Sequence, residues 1–264
     1  MLRKLFKYDF RCMARSFIPL MVAYLAVSGI FRVMMMIDGQ DVSLPLTLFF
    51  IISTILYITL NYAVGLYAFI GNIQRYSKNL FSDEGYLMLT LPVKPWHHIV
   101  SKLISAFVWF AITFGVQLVS VIIIVGNIDL VKNIGKFLKE NGIDILKALS
   151  EHPAVVISVI AMIFTGFIYM MLMFYFAITL GKVATNTKKN GGVVIATILI
   201  IIANIFLFVY SVVFSETLVE KFNITSASGT ITFVCSYYSV LLLIGSAIYF
   251  AVTNFLISRK LNLE

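Results

Sequence analysis

VVIATILIIIANIFLFVYSVVF, residues 193–214, decides the fold. Not one Asp, Glu, Lys, Arg or His interrupts it. A helix of ~20 apolar residues crosses a hydrocarbon core about 30 Å thick. A soluble core helix keeps one polar face toward water, and this stretch has none. Five more runs of the same kind flank it: Phe17–Ile37, Leu44–Ile70, Leu103–Val125, Val155–Leu180 and Thr232–Ile257. Only the first of these carries a charge, Arg32, near one end. The chain is 61% hydrophobic and 12% charged, against ~25% charged in an ordinary soluble domain. In lipid, every backbone N–H and C=O needs an internal partner, so a spanning chain is helical or a closed barrel. A barrel needs alternating ~10-residue strands, and these runs are continuous. The expected fold is all-α, with six transmembrane helices in a single domain over residues 1–264.

The formal net charge is +8, and its distribution predicts topology. With the N-terminus inside, segments 1–16, 71–102, 181–191 and 258–264 hold 14 Lys/Arg and 4 Asp/Glu. The remainder holds 6 Lys/Arg and 8 Asp/Glu. This positive-inside bias predicts two cytoplasmic termini. The basic excess then reads as contact with lipid phosphates, not with nucleic acid. Cys12 and Cys235 fall on opposite sides, so no disulfide is expected between them. The first apolar run is longer than the 7–15 residues of a typical signal core and is expected to remain as a span.

Leu2, Leu5, Phe6, Phe10, Met13 and Phe17 recur at three- and four-residue steps, with Arg3, Lys4, Lys7, Arg11 and Arg15 on the other face. This spacing predicts an N-terminal amphipathic helix over residues 1–16, lying in the headgroup layer before the first span. Pro19, Pro45, Pro92, Pro95 and Pro153 stand at or just before the predicted span starts, where the first helical N–H groups have no intrahelical partner. Segment 127–153 carries apolar residues at helical spacing and is expected on the outer surface. Asn223-Ile224-Thr225 matches a glycosylation sequon.

The polar outlier is Gly71–Lys102, GNIQRYSKNLFSDEGYLMLTLPVKPWHHIVSK. Its first part is expected to continue the second helix as a solvated turn, through Arg75, Tyr76, Lys78 and Asn79. Asp83-Glu84-Gly85 is a stop, and Tyr86–Leu91 is a short apolar run held before Pro92. An apolar patch rimmed by charge fits either a protein partner or the headgroup layer.

No Walker A motif occurs, so phosphate chemistry belongs to another polypeptide. The runs hold no carboxylate, which argues against a proton relay. His97, His98 and His152 are expected in loops, and neither a metal-ligand set nor a catalytic set is present. The neutral polar residues inside the runs include Tyr57, Asn61, Tyr62, Gln117, Ser120, Tyr175 and Asn204. They fit interhelical hydrogen bonding, and Asn61, Tyr62, Gln117 and Asn204 are candidates for lining a translocation path. Ala177 and Gly181 have the spacing of a close helix contact.

The segment RYSKNLFSDEGYLMLTLPV and the N-terminal MLRKLFKYDFRCMARSFIPL resemble the membrane subunits of bacterial ABC type 2 exporters. The resemblance implies that Tyr86, Leu87, Met88, Leu89 and Thr90 form a coupling helix that docks on an ATP-binding subunit. Arg75, Lys78, Asp83 and Glu84 would orient that contact. It also implies an elbow helix over 1–16, a second permease copy or paralogue, and the plasma membrane of a bacterium. ATP and magnesium would sit on the partner, with no cofactor in this chain. Two other classes remain open: a non-transporting scaffold or sensor subunit, and a stand-alone channel or carrier.

Overall fold

The computed structural model describes residues 2–37, 44–81, 94–126, 151–185 and 191–260. The described residues form six helices: α1 (Leu2–Ile37), α2 (Leu44–Phe81), α3 (Pro95–Val125), α4 (Pro153–Thr185), α5 (Gly191–Lys221) and α6 (Ala227–Lys260). All six are long and apolar enough to cross a membrane, the architecture of a multi-pass membrane protein. Their outward surface is apolar: on α5, Ile195, Leu199 and Phe206 are all exposed, as suits a chain whose solvent is hydrocarbon.

The helix ends follow local chemistry. Pro95 and Pro153 open α3 and α4, where a missing N–H is harmless. Ser226 caps α6, its Oγ accepting the Gly229 N–H at 3.2 Å. At the end of α5, the Ile224 N–H reaches back to the Val219 carbonyl and the Asn223 N–H to the Glu220 carbonyl. Asn223 sits at φ 49°. This is a Schellman close, with the sequon's asparagine as its left-handed residue.

Two findings refine the sequence reading, one on helix extent and one on burial. Residues 2–17 and the first span form one helix of 36 residues with Pro19 inside it, so no break marks the boundary expected near residue 16. Charged residues do not stop a helix, and proline removes one N–H and kinks the chain without always ending it. The apolar face of the N-terminal turns is covered by protein: Phe10 stacks on Trp109 at 4.8 Å, and Phe17 meets its edge at 5.1 Å. Arg3, Lys7, Arg11 and Arg15 are exposed. Second, α2 continues to Phe81 as expected, yet Tyr76 and Asn79 are buried, not solvated.

The chain forms two compact units, Met1–Gln74 with Val100–Ile143, and Arg75–Ile99 with Asp144–Glu264. The first has a core of Met13, Phe17, Met21, Tyr24, Val64, Ala68 and Trp109. Gly71 admits α1 closely, since a Cβ there would lie 3.3 Å from Met13 Cε. In the second, α4 packs chiefly on α6 and also on α5. Gly245 forms a notch filled by the Tyr169 ring, and Gly181 lies against the backbone of Gly192 and Val193. The close approach expected at Gly181 is therefore made to a helix start.

Candidate functional site

Polar side chains in apolar helices must find partners, because lipid offers none. In the first unit they form a column along α1, α2 and α3. At the end where α1 begins, the Asp9 carboxylate is buried and accepts from Lys102 Nζ at 3.2 Å and from Ser101 Oγ at 3.2 Å. Further along, Gln117 Nε2 donates to Asn61 Oδ1 at 3.0 Å and to the Asn61 carbonyl at 3.4 Å. Gly65 lies beside this amide, a Cβ there standing at ordinary contact distance, 3.8 Å from Nε2. The next rung is aromatic. Ser120 Oγ and the Tyr24 hydroxyl both donate to the Tyr57 hydroxyl, at 3.2 and 3.4 Å. Phe31 lies flat on Tyr57, with ring centroids 5.3 Å apart. At the far end the Arg32 guanidinium donates to the carbonyls of Ile123, at 2.6 Å, and Gly126. Ile123 lies in the last turn of α3 and Gly126 just beyond it, where carbonyls lack helical partners, so the cation satisfies them and faces the negative end of the helix dipole.

Two polar clusters stand out among the described residues of the second unit. Asn204 on α5 accepts from the Tyr169 hydroxyl of α4, and its Nδ2 donates to the Tyr249 hydroxyl of α6 at 2.9 Å. One amide thus joins three helices. Elsewhere, the Tyr76 ring stacks on Tyr175 with centroids 4.0 Å apart and planes 10° from parallel. Its hydroxyl lies 2.8 Å from Thr179 Oγ1. Thr179 also donates to the Tyr175 carbonyl at 2.8 Å. A threonine has one hydroxyl proton, so Tyr76 is the donor to Thr179.

Of the four candidate path residues, Asn61 and Gln117 come together, Asn204 belongs to its own cluster, and Tyr62 is 72% exposed. Lys78 is exposed and Arg75 half-buried on the last turns of α2. Tyr86, Leu87, Met88, Leu89, Thr90, Asp83 and Glu84 lie outside the described residues, as does segment 127–150. His97 and His98 sit in the first turn of α3, not in a loop. His97 stacks on Trp96, and His98 is buried.

Sequence reasoning missed Asp9, Ser101 and Lys102. It placed no carboxylate within the spans, yet α1 carries Asp9 into the packed end of its unit. The available signal was spacing: Leu5, Asp9, Met13 and Phe17 share one stripe at four-residue steps. An acid on that stripe is bound to be buried with the apolar face. Comparison with family models, curated proteins and solved structures finds no match, so the functional reading rests on the chain's own residues.

Proposed function

We propose that this chain is the membrane-spanning permease subunit of an ATP-driven ABC exporter in a bacterial plasma membrane. ATP hydrolysis is the work of a separate subunit, and two permease copies or paralogues enclose the path. The observation that carries this reading is the length of α2. Its 38 residues span about 57 Å at 1.5 Å per residue, against a hydrocarbon core of about 30 Å. The last turns, with Arg75 and Lys78, stand beyond the core and lead straight into the polar segment that resembles a coupling loop. Residues Tyr86–Thr90 dock on the ATPase, with Asp83 and Glu84 orienting the contact. Residues 2–16 brace the same side of the membrane as a cationic extension of α1. Nucleotide binding closes the ATPase pair, tilts α2 and α3, and alternates access for an amphipathic or hydrophobic cargo.

The scaffold reading has one observation in its favour. Asn61 is met by Gln117, and Asn204 by Tyr169 and Tyr249, so these groups are satisfied within the protein.

Purification of the tagged chain from its native membrane in mild detergent, with mass spectrometry of stoichiometric partners, tests the proposal. A partner bearing a Walker A motif, lost with Leu87→Asp or Met88→Asp, is the expected result. Unchanged association in both variants refutes the coupling role. A partner whose hydrolysis never responds to any cargo favours the scaffold.

A further inference from the structure

We propose that Tyr76 is the positioning residue that carries motion of the coupling loop into α4, through a two-point attachment to Tyr175 and Thr179. The inference rests on the permease reading above. Its basis is the geometry of the inner turns of α2. From Arg75 onward, α2 belongs to the unit that contains α4, α5 and α6. Tyr76, Asn79 and Leu80 form its buried side, at 0%, 3% and 1% exposure, while Lys78 faces outward. Tyr76 alone among them has both a ring contact and a hydroxyl contact to the same helix. The ring lies flat on Tyr175, and the hydroxyl donates to Thr179 one turn further along. Thr179 in turn donates a hydrogen bond to the Tyr175 carbonyl. Ring, hydroxyl and carbonyl thus close a small circuit, all of it buried.

Two attachments one helical turn apart resist both sliding and rolling of α2 against α4, where a single contact resists only one. For a buried tyrosine held at ring and hydroxyl, a change of rotamer would break both contacts in a close-packed surrounding, so a displacement is resisted. Five residues beyond Tyr76, α2 ends at Phe81. A load applied to the following segment therefore reaches α4 over little more than one turn of helix. Because α4 packs chiefly on α6, the displacement is handed to the rest of that unit.

The test uses the full chain with its co-purified ATPase in lipid nanodiscs. Cys12 and Cys235 are first replaced, and one cysteine is placed at Ile157, an exposed position near the start of α4. The readout is the rate of maleimide labelling with and without ATP plus vanadate. In the parent, nucleotide changes that rate. Tyr76→Ala is expected to abolish the change while the ATPase still co-purifies. Thr179→Val keeps the shape, removes the bond from Tyr76 together with Thr179's own bond to the Tyr175 carbonyl, and is expected to shrink the change by roughly fivefold. Tyr76→Phe keeps the ring stack, removes only the bond to Thr179 and is expected to shrink the change no more than the valine variant does. A full response in both Tyr76→Ala and Thr179→Val overturns the inference, and if the alanine variant does not fold, the valine variant decides alone. Loss of the ATPase in either variant also overturns it, because Tyr76 then acts in docking. A parent that co-purifies an ATPase but shows no nucleotide response overturns the inference and leaves the permease reading standing. A parent with no ATPase partner overturns both.

Discussion

Removing one member of the Asp9–Lys102 pair is expected to be among the most damaging single changes in the chain. Both side chains are buried, at 3% and 5% exposure, with 3.2 Å between Oδ1 and Nζ. An exposed pair of this length contributes ~0–1 kcal/mol, because water screens it. A buried pair behaves differently: truncating one partner leaves an uncompensated charge in an apolar surrounding, at a loss of about 3–5 kcal/mol. Lys102→Met takes the ammonium away from the buried Asp9 carboxylate, and Asp9→Asn takes the carboxylate away from the ammonium. Replacing both removes both charges. The double variant Asp9→Asn/Lys102→Met is therefore expected to lie near the parent, since neutral substitution of a buried pair is often harmless or even stabilising.

The assay is a double-mutant cycle on the purified chain in detergent, followed by thermal unfolding. At roughly 2–4 °C per kcal/mol for a protein of this size, each single variant drops the midpoint by roughly 6–20 °C, and the double variant recovers most of it. The loss should also be insensitive to added salt, because buried charges are screened little. Singles within a degree or two of the parent, or a double variant as unstable as the sum of the two, would refute the reasoning. The first outcome means a solvated pair. The second means that the two residues act through separate contacts.

Three further outcomes follow from the same geometry. Gly181→Ala places a Cβ 2.5 Å from Val193 Cα and 2.7 Å from its nitrogen, and backbone cannot swing aside. A loss of at least ~1–3 kcal/mol is expected, larger in unfolding assays than that of Gly245→Ala, whose clash is with the Tyr169 ring. Asn61→Leu and Gln117→Leu each remove the side-chain amide pairing and lower stability by ~0.6–2 kcal/mol. The double leucine variant is expected to recover most of that, whereas a transport defect that persists in it argues for a path role. Arg32→Met removes two charge-assisted hydrogen bonds to the end of α3, at about 1.5–3 kcal/mol each. Arg32→Lys is expected to recover only part of the lost midpoint, because an ammonium lacks the guanidinium fork.

The six helices were legible because lipid imposes one simple demand, a continuous apolar run long enough to cross it. Their ends were legible only where a residue enforces a start, as at Pro95 and Pro153; the fifth helix runs past the expected Phe214 to Lys221. Elsewhere composition is silent on helix extent: nothing in the charged residues 2–16 interrupts the hydrogen-bond ladder, and α1 continues through Pro19 to Ile37. The polar residues inside the spans were legible as a set but not as pairs. Pairing depends on how each helix is rotated about its axis, and α4, α5 and α6 are apolar on every side, so their sequences carry no face to orient. Where a face did exist it was informative. Asp9 lies on the apolar stripe of α1, and Tyr76 lies opposite the exposed Lys78 on α2. In a chain bathed in hydrocarbon, a polar residue on the apolar side of an otherwise charged turn is therefore the strongest local sign of a built contact. Its partner must come from another helix, and only the folded structure could name Lys102 for the one and Thr179 for the other.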